Sequence, residues 1–171
     1  MIEIRQANID DVPGIVQVCA DGVRFTEGSQ KLRSDEAIEA SIAEYYNPER
    51  IAREVQDITD VQSGYYVAYD NEIDKVVGAG CGGLIGDGTS SILYALWLDP
   101  NRKREGIGTK LLAAITADAL RRGAKEQWVH ATKGNEMGIP FYEAMGFVFD
   151  HEQPEDHIPG GGIDYVMKRN I

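Results

Sequence analysis

A basic segment with two glycines separates an apolar stretch from an amphipathic one in the middle of the chain. Its residues are Lys103, Arg104, Glu105, Gly106, Ile107, Gly108 and Thr109. The first turn of a helix leaves backbone N–H groups without intrahelical partners, and the helix dipole adds partial positive charge there. Gly106 and Gly108 would let an anion approach these groups closely, while Lys103 and Arg104 add charge. The segment therefore predicts a binding site for a diphosphate.

Two other phosphate-binding patterns fit the chain less well. A P-loop needs GxxxxGK[ST], whereas Gly106 and Gly108 are too close together and Lys110 is followed by leucine. The dinucleotide pattern GxGxxG occurs at 78–83, but it should open a helix, and a strand end and a turn follow it instead. These glycines are better explained by a thinned or bulged strand, or by a ligand close to the backbone. A nucleotide-dependent oxidoreductase is thus a weaker alternative.

The elements around the basic segment predict an α/β fold. Three segments with strand character, at 65–69, 76–85 and 92–98, are joined by turns too short for crossover helices, so they should form an antiparallel meander. The third is almost entirely apolar, which indicates burial on both faces. Apolar residues recur on one face from 107 to 119, which predicts the longest helix. The strand at 128–131 follows that helix and should lie parallel to its predecessor.

The rest of the chain completes a single predicted domain, residues 1–171. The remaining predicted elements are a strand at 2–4, a helix after Asp10 and Asp11, a loop over 25–32, helices capped by Ser34 and Asn47, a helix at 138–145, and closing strands at 147–149 and 165–167. The fold class expected is a mixed, mostly antiparallel sheet of about six to seven strands flanked by helices.

Composition limits the partners. The 171 residues carry a formal net charge of -11, which argues against a nucleic-acid protein and weakly favours a cationic substrate. Cys19 and Cys81 lie among apolar residues without metal-ligand spacing, so we expect reduced core thiols and no metal. The first residues form no apolar targeting segment, and no run is long enough to cross a membrane. The expected location is the cytoplasm.

The basic segment resembles the coenzyme A motif of the GCN5-related N-acetyltransferase (GNAT) family, [Q/R]xxGx[G/A]. Lys103 stands where the family has arginine or glutamine, and Gly106 and Gly108 match its small residues. Lysine keeps the charge but not the bidentate fork of arginine, and the adjacent Arg102 or Arg104 could compensate.

A second stretch, at 135–147, is similar to the family pattern N-x-x-A-x-x-F-Y-x-x-x-G-F. Gly138 replaces the usual alanine, and Pro140 is unusual. Proline is tolerated only in the first turn of a helix, so this helix should begin near Gly138. Ile4-Arg5-Gln6-Ala7, with Asp11 beyond, also looks like the family's opening strand and helix, so the resemblance covers most of the chain.

The resemblance implies an acyl-CoA N-acyltransferase fold and an acetyl-CoA-dependent N-acetyltransferase, in which a neutral amine attacks the thioester directly in a ternary complex. The Leu96 amide would stabilise the oxyanion, Leu98 would pair with pantetheine like an added strand, and Tyr142 would protonate the sulfur as general acid. Asn135 would bond the pantetheine arm or only cap a helix. The residues expected to bind the coenzyme are Leu96, Leu98, Lys103, Arg104, Glu105, Gly106, Ile107, Gly108, Thr109, Asn135 and Tyr142.

The general base and the acceptor stay open. Glu27, in the predicted loop, and His130, on the predicted strand at 128–131, are candidates, and water is a third. The residues that could line an acceptor site are Asp21, Phe25, Glu27, Tyr45 and Tyr46. The acceptor would be a small-molecule amine, such as a polyamine or amino sugar, or a peptide N-terminus. We expect no nucleic-acid or membrane partner, and a homodimer is among the expected assemblies.

Two non-enzymatic alternatives remain. A regulatory protein of the same fold would bind acetyl-CoA without turnover and would not depend on Tyr142. A purely structural interaction domain would leave the basic glycine segment at 103–109 without a purpose.

Overall fold

The computed structural model describes residues 1–156 and 160–171, and the strands among these residues form one seven-stranded sheet with the order β1-β2-β3-β4-β5-β7-β6. The strands are β1 (Ile2–Gln6), β2 (Tyr65–Asp70), β3 (Lys75–Ile85), β4 (Ser90–Leu98), β5 (Glu126–Thr132), β6 (Val148–Pro154) and β7 (Ile163–Asn170). The helices are α1 (Val12–Val23), α2 (Asp35–Tyr45), α3 (Pro48–Gln56), α4 (Ile107–Arg121) and α5 (Gly138–Ala144). A 3-10 turn (Ile9–Asp11) precedes α1, and a π-helical turn (Arg24–Gly28) extends it.

The pairing of the central strands confirms the predicted topology. Strands β2, β3 and β4 run antiparallel, as their short connections require. Strand β4 pairs with β5 in parallel, as expected after the crossover through α4. The sequence did not predict that β7 inserts between β5 and β6, pairing antiparallel with both.

Helices cover the two faces of the sheet. Ile15 of α1 belongs to the same buried cluster as Val67 of β2, whereas Leu111 of α4 packs in a cluster with Ala68, the next residue of β2. Successive strand residues point to opposite faces, so α1 and α4 lie on opposite sides of the sheet. The long helix and its apolar face are confirmed: Ile107, Leu111, Leu112, Ile115 and Ala119 are all buried.

The glycines at 78–83 lie inside β3, so the dinucleotide-binding alternative is wrong. A Cβ atom at Gly80 would stand 2.9 Å from Ile115 Cδ1 of α4, and one at Gly82 would stand 2.6 Å from the Ile92 carbonyl oxygen. At Gly83 it would collide with the carbonyl of Val61. These glycines let a helix, a strand and a loop approach β3 closely.

The predicted loop at 25–32 is wrong for its first part. The π-helical turn Arg24–Gly28 continues α1, and the Leu32 N–H donates to the Glu27 carbonyl, five residues back, at 2.9 Å. Glycine, serine and threonine favour loops, but here the side chain of Glu27 is anchored by Arg33, which holds the wide turn. Single π turns of this kind occur frequently at functional sites.

Two further observations concern the cysteines and the helices. Cys19 and Cys81 are buried free thiols, as expected, and burial raises the pKa of Cys81 to about 12. Within the two stretches that the structure describes, no helix combines the length and apolarity needed to cross a bilayer.

Candidate active site

Strands β4 and β5 separate halfway along their length. Their parallel pairing runs from Ser90 to Leu93 of β4, although β4 continues to Leu98 and β5 to Thr132. A bulge between β3 and β4 accompanies the separation, because Cys81 pairs with Ala95 and the next residue pairs with Leu93. Bulges bend a strand and increase its twist. The result is a gap in the middle of the sheet.

A cavity of about 770 Å³ occupies this gap. Burial of β4 on both faces is therefore wrong: Ile92, Leu96 and Leu98 are only partly buried because they line the cavity. On one side the cavity reaches the start of α4 and on the other the turn Arg24–Gly28. A volume of this size suits a small-molecule ligand.

The open edge of β4 offers backbone groups to the cavity. The Asp99 N–H donates to the Val77 carbonyl of β3 at 2.9 Å. Peptide groups along a strand point alternately to its two edges, so the N–H groups of Leu96 and Leu98 are directed away from β3 and toward the gap. Both residues line the cavity, which places them where the predicted oxyanion and pantetheine contacts would need them.

The first turn of α4 presents free amides at the same cavity. Gly106, the N-cap residue, has a left-handed φ of 75°, and its position has no side-chain cap. The first hydrogen bond of the helix is from the Lys110 N–H to the Gly106 carbonyl at 3.1 Å. Among residues 1–156 and 160–171, no protein acceptor faces the N–H groups from Gly106 to Thr109. Free N–H groups at the start of a helix are suited to binding an anion.

The loop before α4 is held by Arg102. Its guanidinium donates to Asp70 at 2.8 Å and to both carboxylate oxygens of Glu105. These contacts lower the pKa of Asp70 and of Glu105. Because Arg102 is occupied, it is unavailable to replace the arginine of the family motif. Arg104 has no ion-pair partner in the described part of the chain, so it keeps its charge available at the cavity rim.

Lys103 reaches across the cavity mouth. Its Nζ lies 3.8 Å from the ring centroid of Phe25 and 3.1 Å from Met137 Sδ. Partial burial lowers the pKa of Lys103. An ammonium against an aromatic face and a thioether is weakly held, so Lys103 can turn toward a phosphate at small cost.

Asn135 precedes Met137, the N-cap residue of α5, and its side chain holds the start of the helix. Its Oδ1 accepts from the N–H groups of Met137 at 3.1 Å and Gly138 at 2.8 Å, and from Gln30 Nε2 at 3.0 Å. Its Nδ2 has no hydrogen-bond partner among the described residues and would lie 2.6 Å from a Cβ atom at Gly138. An alanine at position 138 would therefore require the Asn135 amide to shift. As predicted, α5 begins at Gly138 with Pro140 in its first turn.

Tyr142 lines the cavity from α5. Its ring packs edge-on against Phe141 and Phe147, with centroids 5.3 and 5.6 Å away. Burial raises the pKa of Tyr142 above its ordinary value. The phenol therefore stays protonated and can act as a proton donor.

Glu27 is committed to a buried ion pair. Its Oε2 accepts from Arg33 Nε at 2.7 Å and also from Arg33 Nη2, and its Oε1 is 3.4 Å from the Thr132 hydroxyl. Burial raises the pKa of Glu27, although Arg33 opposes this effect. The guanidinium of Arg33 occupies Oε2, so this oxygen is not free to accept a proton from an amine.

His130 lies on the face of β5 opposite to Val129, because successive strand residues alternate, and its side chain is 33% exposed. Its Nδ1 lies 3.0 Å from Oδ2 of Asp164 on β7, a carboxylate that is 3% exposed. Gln153 of β6 lies 3.4 Å from the same nitrogen. A carboxylate at Nδ1 leaves Nε2 as the proton-accepting nitrogen of the neutral ring.

The predicted acceptor-site residues divide into two groups. Phe25, Glu27, Tyr45 and Tyr46 line the cavity. Asp21 does not, since it accepts from Gln17 at 2.7 Å on the exposed side of α1. Among the charged residues that line the cavity in the described part of the chain, the sequence did not predict Arg33, Glu155 and Asp164. The sequence offered only the position of Asp164 directly before the predicted closing strand at 165–167.

Comparison with known proteins agrees with this geometry. The family model described as Acetyltransferase (GNAT) family matches residues 30–147. The [ribosomal protein bS18]-alanine N-acetyltransferase of Escherichia coli is 31% identical over 55 residues, which are 32% of this chain and 37% of that relative. The matched segment is therefore little more than a third of the curated relative.

Solved structures share the fold over almost the whole chain. The PaiA N-acetyltransferase from Thermoplasma acidophilum, in complex with coenzyme A, has a TM-score of 0.82 at 24% identity and covers 100% of this chain and 99% of that one. The phosphinothricin acetyltransferase from Sinorhizobium meliloti, in complex with AcCoA, has a TM-score of 0.74 at 16% identity and covers 99% and 88%. These likenesses confirm the predicted fold class.

Proposed function

The chain belongs to the acetyltransferase (GNAT) family, and we propose that it transfers an acetyl group from acetyl-CoA to an amine. The observation that carries the proposal is the row of unpaired N–H groups from Gly106 to Thr109, which opens into the gap between β4 and β5. A diphosphate at these amides would lead its pantetheine arm along the free edge of β4.

The residues that line the cavity fit acetyl-CoA as the source of the acetyl group. The amides of α4 and the charges of Lys103 and Arg104 suit a diphosphate, and the N–H groups of Leu96 and Leu98 suit a chain with amide groups. Asn135 Nδ2 is a further free donor at the cavity. Acetyl-CoA would supply the thioester, whose carbonyl oxygen becomes negatively charged during attack. The Leu96 N–H is the preorganised donor that we assign to that charge.

We assign the general base to His130 rather than to Glu27. Asp164 holds Nδ1 of His130, so Nε2 can accept a proton from the acceptor ammonium, directly or through water. Glu27 is instead paired with Arg33 in a buried contact. The His130–Asp164 pair also favours an enzyme over a regulatory protein, because binding alone needs no oriented base.

Tyr142 is the proposed general acid. An ordinary phenol, with a pKa of about 10, is a weaker acid than a thiol, with a pKa of about 8.5. Burial disfavours the charged form of either group. A thiolate leaving into the apolar surroundings of Phe141 and Phe147 therefore also gains proton affinity, and a phenol fixed beside it can protonate it.

A ligand panel tests the proposal. Thermal unfolding is measured with acetyl-CoA, CoA, NAD and ATP, since a ligand at about a hundred times its dissociation constant adds about 2.7 kcal/mol of stability. We expect stabilisation by both coenzyme A species and little by NAD. Acetyl transfer is then followed on a panel of amines. Failure of acetyl-CoA to stabilise the protein would refute the donor site, and binding without turnover on any amine would refute the enzymatic assignment.

A further inference from the structure

Arg33 carries a buried nitrogen that has no partner. Its side chain is 4% exposed, and Nε and Nη2 both donate to Glu27, with Nη2 also 3.4 Å from the Ser41 hydroxyl. In the described part of the chain, no acceptor lies within hydrogen-bond distance of Nη1. A buried donor of a charged group is costly to leave unpaired. Arg33 lines the cavity, so a ligand there could supply the missing oxygen.

The part of the cavity around Arg33 is rich in negative charge. Glu155 and Asp164 line it together with Arg33 and Glu27. Burial and the neighbouring Asp164 and Glu27 raise the pKa of Glu155, while Arg33 lowers it, so these charges lie close to one another. Because Glu27 offsets Arg33, the carboxylates of Glu155 and Asp164 leave this region negative. It attracts an ammonium group and disfavours a free carboxylate.

We propose that Arg33 Nη1 donates to a carbonyl oxygen adjacent to the acceptor amine, so that the acceptor is an amino-acid amide or the amino terminus of a peptide. The inference rests on the proposed acetyltransferase function. Such an acceptor places its ammonium group near Asp164 and His130, where the negative charge favours it. Its neutral carbonyl oxygen then gives Arg33 Nη1 the missing hydrogen-bond partner. A polyamine satisfies the carboxylates but leaves Nη1 unpaired, and a free amino acid adds a repelled negative charge.

Matched acceptors test the proposal. The three compounds are an amino-acid amide, the free amino acid and the alkyl amine with the same carbon skeleton. We expect the highest kcat/KM for the amide, because only the amide offers a neutral carbonyl. The loss of one hydrogen bond to a charged group corresponds to about a tenfold to hundredfold lower value for the alkyl amine. An alkyl amine used as well as the amide would overturn the proposal.

Two variants assign the effect to Arg33. Arg33→Lys keeps the charge opposite Glu27 but lacks the guanidinium fork. It should raise KM for the amide about tenfold or more and leave KM for the alkyl amine and for acetyl-CoA unchanged. The double variant Glu27→Gln/Arg33→Met removes both buried charges together and should lose the same preference. Arg24→Lys, in an exposed pair with Glu39, is the control. Equal effects of Arg33→Lys on both acceptors would mean a structural role only.

A binding measurement separates this inference from the proposed function. Calorimetric titration of the amide into the protein with bound coenzyme A needs no turnover. Binding of the amide that is weakened by Arg33→Lys supports the inference even if no acetyl group is transferred. Turnover of amines without any preference for the amide, or binding unchanged in the variant, overturns the inference and leaves the acetyltransferase function standing.

Discussion

The imidazole of His130 and the carboxylate of Asp164 face one another from neighbouring strands, with Nδ1 3.0 Å from Oδ2. Asp164 is buried, whereas His130 keeps part of its surface open to the cavity. The carboxylate accepts a hydrogen bond from Nδ1–H, which fixes the ring orientation and tautomer and leaves Nε2 free to accept a proton. Asp164 is therefore a positioning residue for His130.

Asp164→Asn should reduce acetyl transfer strongly. The asparagine amide can donate to Nδ1, which would favour the wrong tautomer, and general-base catalysis contributes about 10²–10⁴-fold. We expect kcat/KM to fall within this range, with KM for acetyl-CoA unchanged. His130→Gln, which removes the accepting Nε2, should lower kcat/KM by a similar factor. The measurement is kcat/KM of each variant and of the wild type with the same amine.

Asp150 and His151 provide the matched control. They form a similar contact at 2.7 Å on the exposed edge strand β6, outside the cavity. Asp150→Asn should leave kcat/KM unchanged. An Asp164→Asn enzyme as active as the Asp150→Asn enzyme would remove His130 from its assigned role and favour water as the base.

Gly106→Ala should separate coenzyme binding from folding. Both Gly106 and Gly123 have positive φ, 75° and 100°, and neither would bring a Cβ atom within 4 Å of a neighbour. Alanine at either position should therefore cost about 1–2 kcal/mol of unfolding free energy. Only at Gly106 would the methyl group stand beside the free amides. We expect the Kd for acetyl-CoA to rise about tenfold or more in Gly106→Ala and to stay unchanged in Gly123→Ala, at the other end of α4.

Equal Kd values for acetyl-CoA in the two glycine variants would contradict a diphosphate site at the start of α4. Unfolding by urea and calorimetric titration supply the two quantities. Both variants place alanine at a positive φ at one end of α4, so a loss of acetyl-CoA affinity confined to Gly106→Ala is assigned to the ligand site.

The helix α4 and the central meander could be predicted because their apolar periodicity is local. The partners of the site residues could not. His130 and Asp164 meet only because β7 inserts beside β5, and that strand order depends on pairing between segments far apart in the chain. Likewise, Glu27 was predicted as a loop carboxylate facing the acceptor, but a π-helical turn and Arg33 bind it in a buried pair. Composition alone does not predict such a turn.

Glu155→Gln should stabilise the protein at neutral and alkaline pH. Burial and the neighbouring Asp164 and Glu27 raise the pKa of Glu155 in the folded protein, against the opposing effect of Arg33. The folded state then binds more protons than the unfolded state between the ordinary and the raised pKa, so stability falls as pH rises through this window. Glutamine is uncharged at every pH, so it does not carry the cost of a buried carboxylate beside other negative charges.

We therefore expect the Tm of Glu155→Gln to exceed that of the wild type at about pH 8. The difference should vanish at about pH 3, well below the ordinary glutamate pKa of about 4.3, where the carboxyl group is protonated in both states. Glu136→Gln, at an exposed position, is the control for the substitution itself. A difference that grows as the pH falls would have the wrong sign and would contradict the charge balance described for this part of the cavity.

Tyr142→Phe should lower kcat and leave KM for acetyl-CoA unchanged, since the ring keeps its packing against Phe141 and Phe147. The loss expected for a general acid is about 10²–10⁴-fold. Because burial raises the pKa of Tyr142, the wild-type rate should not decline through its ionisation up to about pH 10. Tyr69→Phe, which removes a hydroxyl bonded to Asp74 away from the cavity, is the control. Steady-state rates in which both phenylalanine variants match the wild type would show that the thiolate leaves without a proton from Tyr142.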